Sequence, residues 1–140
     1  MNQALARKLV VQMMISSQYV TTYLGEPLQT FGLSIQQFNV LRILRGCKGK
    51  PASMGYLNQH MIHQMSNTTR IVDRLLIKKL VTRNVCAENR RKVHLYITPK
   101  GLELLENIDP IICNTELNIV SKINEEEATE ILNFLIKMQA

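Results

Sequence analysis

Residues 66–98 read SNTTRIVDRLLIKKLVTRNVCAENRRKVHLYIT, and the spacing of their apolar side chains changes once along the way. In the first half Ile71, Val72, Leu75, Leu76 and Leu80 recur at helical intervals, leaving Asn67, Arg70, Asp73, Arg74 and Lys78 for the opposite side. The second half has a period of two. Val81, Arg83 and Val85 alternate with Thr82, Asn84 and Cys86, and later Val93, Leu95 and Ile97 alternate with His94 and Tyr96. The polar link between them, 87–92, ends in three adjacent cations, Arg90, Arg91 and Lys92. A helix followed by a hairpin with a basic tip suits duplex DNA. The helix fits the major groove, and the tip reaches backbone or minor groove beside it.

The charge distribution points the same way. From Ser66 to Lys100 there are nine cations and two anions, a net +7, while the rest of the chain has eight cations and nine anions, a net −1. The whole formal charge of +6 therefore sits in one quarter of the chain, the footprint of a nucleic-acid surface. At 140 residues and 46% hydrophobic content, the chain can bury a real core in one domain with helical extensions. No apolar run approaches the ~20 residues that span a bilayer, and the N-terminus lacks a signal-peptide pattern, so a cytoplasmic protein is the expectation.

Outside that stretch the pattern is helical. Residues 4–24 are rich in apolar side chains, and Gly25 and Pro27 predict an end or a kink there. The apolar band is wide enough to call for a partner helix from a second subunit. Ser34 and Gln37 form a capping box, with Leu33 and Phe38 at the staple positions, and Gly46 and Gly49 end that helix. Ser53 caps a short third helix containing Met54, Leu57 and Met61, which with the basic helix makes a helix-turn-helix pair. Thr98 and Pro99 start another helix, with Pro110 as a kink. Asn124, followed by Glu125, Glu126 and Glu127, starts the last, lined by Ile131, Leu132, Phe134, Leu135 and Met138. The expected fold is mainly α with a small β-hairpin wing. Residues 1–30 and 101–140 form dimerisation helices, and 31–100 form the winged helix-turn-helix.

LSIQQFNVLRIL (33–44), NTTRIVDRLLIKKLVTR (67–83) and ENRRKVHLYITPKG (88–101) together resemble the MarR family of bacterial winged helix-turn-helix regulators. The resemblance implies a homodimer with interlocked terminal helices. It also implies that a helix from about Met65 to Leu80 enters the major groove, with the wing around Arg91 in the neighbouring minor groove. Where the family has an Asp two residues before the wing arginine, this chain has Asn89, which cannot form the bracing ion pair. Lys79 stands where the family favours Gly; a positive φ there would cost a lysine about 1 kcal/mol. Ile62 and His63 replace a common Gly-Leu pair.

The candidate DNA-binding residues are Ser66, Asn67, Thr68, Arg70, Arg74, Arg90, Arg91 and Lys92. Ser66 serves equally well as an ordinary cap, Thr69 is the residue expected to turn inward, and Arg74 has Asp73 as an alternative partner. Tyr19, Tyr23 and Phe38 are weaker candidates for a small apolar or aromatic effector at the junction of head and dimer helices, with plain packing as the alternative. No metal or cofactor is expected: His60 and His63 are spaced i, i+3, but no third ligand lies near in sequence. Cys47, Cys86 and Cys113 suggest neither a disulfide framework nor a zinc site; Cys86, beside the cations, is the one candidate for a redox-sensing thiol. No motif of an enzyme is present. The expected partners are a pseudo-palindromic operator DNA and a second copy of the chain. A winged-helix module that binds an acidic protein is the alternative.

Overall fold

The computed structural model describes residues 1–62, 67–89 and 91–140. Its elements run α1 (Gln3–Thr30), α2 (Ile35–Gly46), α3 (Met54–His60), α4 (Thr68–Ile77), β1 (Val81–Val85), β2 (Val93–Ile97), α5 (Pro99–Ile119) and α6 (Glu125–Gln139). The expected mainly helical fold with a hairpin is what forms.

Local chemistry sets most boundaries. Ser34 and Gln37 make a reciprocal capping box at the start of α2, and Asn124 and Glu127 make another at α6. Ser53 Oγ accepts the Tyr56 N–H, and Thr98 Oγ1 accepts the Gly101 N–H with Pro99 in the first turn of α5. Of the end or kink expected near Gly25 and Pro27, the end does not occur: helix α1 runs through both to Thr30. Its last turn is anchored by the fully buried Leu28, and the true stop is Gly32 at φ +71°. There the Leu33 N–H reaches Leu28 O at 3.1 Å and the Gly32 N–H reaches Gln29 O at 3.0 Å, a Schellman ending. Pro110 likewise lies inside an uninterrupted α5.

Helix α2 is the hub. Phe38, Val40, Leu41 and Leu44 are buried between Leu105, Ile108 and Ile112 of α5 and Ile71, Val72 and Leu75 of α4. Arg45 of α2 holds Asp109 of α5 through both terminal guanidinium nitrogens, at 2.7 and 3.1 Å. That hydrogen-bonded carboxylate raises the Arg45 pKa against the opposing effect of burial. The hairpin pairs Val81 with Ile97, Arg83 with Leu95 and Val85 with Val93. A third backbone segment joins it where Ala52, buried just ahead of α3, exchanges both hydrogen bonds with Leu95 at 3.0 and 2.8 Å. Helix α6 buries none of its residues.

Candidate nucleic-acid interface

Helix α4 is seated by Ile71, Val72 and Leu75 and by Leu80 just beyond its end. At ~100° per residue, Arg70, Asp73 and Ile77 stand opposite that buried stripe. All three are exposed, Ile77 by 81%. Asp73 meets Arg83 of β1 at 3.6 Å, so the one acid on this face is turned towards the hairpin. Arg74 therefore does not have Asp73 as its ion-pair partner. It borders a shallow depression with Lys78, Gln29 and Ser34 on the other flank of the helix.

The end of α4 is fixed to the start of α5. Lys79 does take the left-handed conformation, φ +61°. The Leu80 N–H reaches Leu75 O, and the Lys79 N–H reaches Leu76 O, both at 3.0 Å. The carbonyls left over find donors in the next helix and its cap: Lys100 Nζ to Lys78 O at 3.2 Å, Thr98 Oγ1 to Lys79 O at 2.8 Å, and Thr98 N–H to Leu80 O at 3.0 Å. Lys78 Nζ itself donates to Gly32 O and, at 3.4 Å, to Gln37 Oε1. Gly101 fits against this junction because it has no Cβ; one would lie 2.5 Å from Leu80 O.

At the start of α4 two expectations change places. Thr68 is buried and its Oγ1 donates to Asn58 Oδ1 at 2.6 Å, whereas Thr69 is exposed. Thr68 therefore ties α4 to α3 and does not face outward. The reason is its spacing from Ile71, Val72 and Leu75, which puts it on the core stripe. Asn67 occupies the cap position without a capping hydrogen bond from its side chain, and its enclosed Oδ1 has no partner among the described residues. Ser66 and Arg90, with Met65 and His63, lie outside the described residues.

In the wing the Asn that replaces the family's Asp still braces the chain. Asn89 Oδ1 accepts the Arg91 N–H at 3.0 Å, Asn89 O accepts the Lys92 N–H at 2.9 Å, and the Cys86 N–H closes onto Lys92 O at 2.9 Å. These bonds hold the backbone at Cys86, Asn89, Arg91 and Lys92, and the side chains of Arg91 and Lys92 are exposed. The Cys86 thiol is pulled below its ordinary pKa by the backbone N–H groups of Asn89 and then Glu88, with Lys92 helping and burial opposing.

Behind the head lies a groove of about 850 Å³ walled by α1, α2, α5 and α6, with Met13, Val20, Phe38, Met61, Ile112 and Leu135 on its apolar sides. Phe38 lines it, and Arg42 lies 5.5 Å over the Phe38 ring. Tyr19 and Tyr23 are not part of its lining: their rings, 5.4 Å apart, pack on each other at the exposed surface of α1. His60 stacks on Tyr56 and its Nδ1 lies 2.8 Å from Tyr56 O. Among the described residues no three His, Cys, Asp or Glu side chains converge as metal ligands.

No family model matches the sequence. Solved structures do match the fold. A MarR-like transcription regulator from Bacillus cereus superposes with a TM-score of 0.87 at 22% identity, over 96% of this chain and 95% of that one. The fold is that of the MarR-like regulators. BpsR of Bordetella bronchiseptica, whose DNA binding is regulated by 6-hydroxynicotinic acid, gives 0.86 at 22% identity over 95% and 99%. A mutant MarR from E. coli complexed with operator DNA gives 0.86 at 20% over 95% and 94%. Within this MarR-like frame the structure brings Arg70 to the outer face of α4 and Arg91 and Lys92 to the wing. It adds three features that pattern alone did not supply: the Asp73–Arg83 pair, the Ala52–Leu95 bridge and the capping of α4 by α5. Only the last had a signal, the T-P-K-G run at 98–101.

Proposed function

We propose that this chain is a homodimeric, sequence-specific DNA-binding transcriptional regulator, acting as a repressor in the cytoplasm. The observation that carries this is the concentration of all the net positive charge in α4, the hairpin and the tip between them, on a fold shared with a protein complexed with operator DNA. Arg70 at the exposed start of α4 takes the role of base or phosphate contact, and Arg74 that of a phosphate contact on the flank. Asn67 stands beside them at the helix start, and Ser66 and Arg90 keep their roles from the sequence. Arg91 and Lys92 supply cations to the adjacent minor groove and backbone.

Residues 31–100 form the reading head; 1–30 and 101–140 form the clasp. In support, Ile131, Leu132, Phe134, Leu135, Ile136 and Met138 of α6 are exposed together with Leu5, Leu9, Val10 and Met14 of α1, more apolar surface than a lone subunit leaves in water. A second copy is the occupant that symmetry favours. The groove beside Phe38 suits a small apolar or aromatic effector, a class to which the ligand of BpsR belongs. Such a ligand regulates only if it favours one arrangement of the two heads over another.

Selection from a random duplex library tests the function. The expected outcome is an inverted repeat with half-sites about 34–36 Å apart. Recovery of no preferred sequence overturns it.

A further inference from the structure

An isoleucine occupies the position of α4 where a polar residue is expected. With ~100° between successive residues, the core stripe of Thr68, Ile71, Val72 and Leu75 leaves Arg70 and Ile77 pointing most directly away from it, with Asp73 beside them. Ile77 is 81% exposed; apart from the terminal Met1, no large apolar side chain among the described residues is more so. Its surroundings offer it no apolar cover. Arg70 and Asp73 precede it on the same face, and it borders the shallow depression lined by Gln29, Ser34, Gln37, Arg74 and Lys78. It also stands on a different element from the exposed apolar residues of α1 and α6. Asp73 is turned to Arg83 at 3.6 Å. The outward face of the helix is thus left with one hydrogen-bonding side chain, Arg70, and one apolar side chain, Ile77.

We propose that Ile77 is a specificity-determining residue that reads the C5-methyl group of a thymine in the major groove. The inference rests on the DNA-regulator reading and deepens it. In that groove the base edges present donors, acceptors and a single apolar group, the thymine methyl. A guanidinium matches O6 and N7 of guanine. A branched aliphatic side chain satisfies none of the polar groups and gains only by covering the methyl, which removes apolar surface of both from water. Arg70 and Ile77 are seven residues apart, a rise of ~10.5 Å along α4, or about three base-pair steps of ~3.4 Å. Each half-site then carries a thymine about three base pairs from the base that Arg70 meets. The phosphate-binding cations accept any sequence; Ile77 adds selectivity for this one position.

Exchange of thymine for deoxyuridine tests this, because it removes the methyl and leaves every hydrogen-bonding group in place. The duplex selected by the full-length protein is remade with each thymine of one half-site, on either strand, replaced in turn. Binding is then measured for the natural protein, Ile77→Ala and Ile77→Val. At one position the natural protein is expected to lose about fourfold in affinity, the scale of burying one methyl group. Ile77→Val, still branched and apolar, retains most of that loss. Ile77→Ala binds the thymine and deoxyuridine duplexes equally, and its own selected half-site no longer prefers thymine there. Alanine is the better helix former at so exposed a position, so the variant keeps its fold. A merely structural role for Ile77 would weaken all duplexes alike and leave the thymine-to-deoxyuridine ratio where it was. A selected half-site without thymine, or equal sensitivity of the natural and Ile77→Ala proteins to every exchange, overturns the inference while the regulator reading stands. Selection of no sequence at all overturns both.

Discussion

Replacing Gly101 by alanine probes the joint between the helix that carries Arg70 and α5, part of the proposed clasp. A Cβ at this position would lie 2.5 Å from Leu80 O and 2.7 Å from Ile97 Cγ1. The first of these is backbone, already fixed by the Thr98 N–H at 3.0 Å, and cannot rotate away. Overpacking of this kind costs roughly 1–3 kcal/mol, and loosening the Thr98 bond adds about 0.5–1.5 kcal/mol. Alanine recovers up to about 1 kcal/mol through its better helix propensity. The net expectation is destabilisation of about 1–3 kcal/mol, a fall in Tm of roughly 3–10 °C. Thermal unfolding followed by circular dichroism, at one fixed protein concentration, reads it. Gly25→Ala is the internal control: Gly25 is helical with nothing within 4 Å of a Cβ, so that change should leave Tm equal or higher. A Gly101→Ala protein that melts with or above the natural one refutes the close approach of α5 to Leu80 O.

Lys79→Gly should act in the opposite direction, stabilising by about 1 kcal/mol, because it removes a side chain from a left-handed backbone; a lower denaturant midpoint would contradict this. Iodoacetamide labelling should give Cys86 a pH midpoint below that of an ordinary thiol, since its thiolate is favoured by the wing's N–H groups; a midpoint at or above the ordinary value would show that those groups do not face the sulfur. Deleting residues 124–140 should give monomer or aggregate in sedimentation, whereas a stable, monodisperse dimer would remove α6 from the clasp.

The elements of this fold were legible wherever a short-range rule decides them. Ser34 with Gln37, Ser53, Thr98 with Pro99, and Asn124 each stop or start a helix by hydrogen bonds within three residues. The switch from period 3.6 to period two located both strands of the wing, the first to within one residue. Pro27 does not end α1: a proline removes one helical bond, and the buried Leu28 next to it outweighs that loss. The stop signal was Gly32 followed by the apolar Leu33, a pattern available in the sequence. The inward place of Thr68 was also available, from its spacing to Ile71 and Val72; the attraction of a polar residue at a helix start hid it. What the chain alone could not show are pairings between distant segments: Arg45 with Asp109, Asp73 with Arg83, Ala52 with Leu95 and Asn39 with the Ile62 N–H. Nothing periodic encodes them. The wing cations were legible as charge, and the way Asn89 holds the backbone beneath Arg91 was not.

The central claim is that two cationic heads neutralise DNA phosphates from α4 and the wing. Fluorescence anisotropy on the selected duplex, titrated over salt concentration, tests it most directly. The account predicts a steep negative slope of log affinity against log salt, reduced by about one unit per head in Arg91→Ala. A slope near zero, or one that Arg91→Ala leaves untouched, would contradict it.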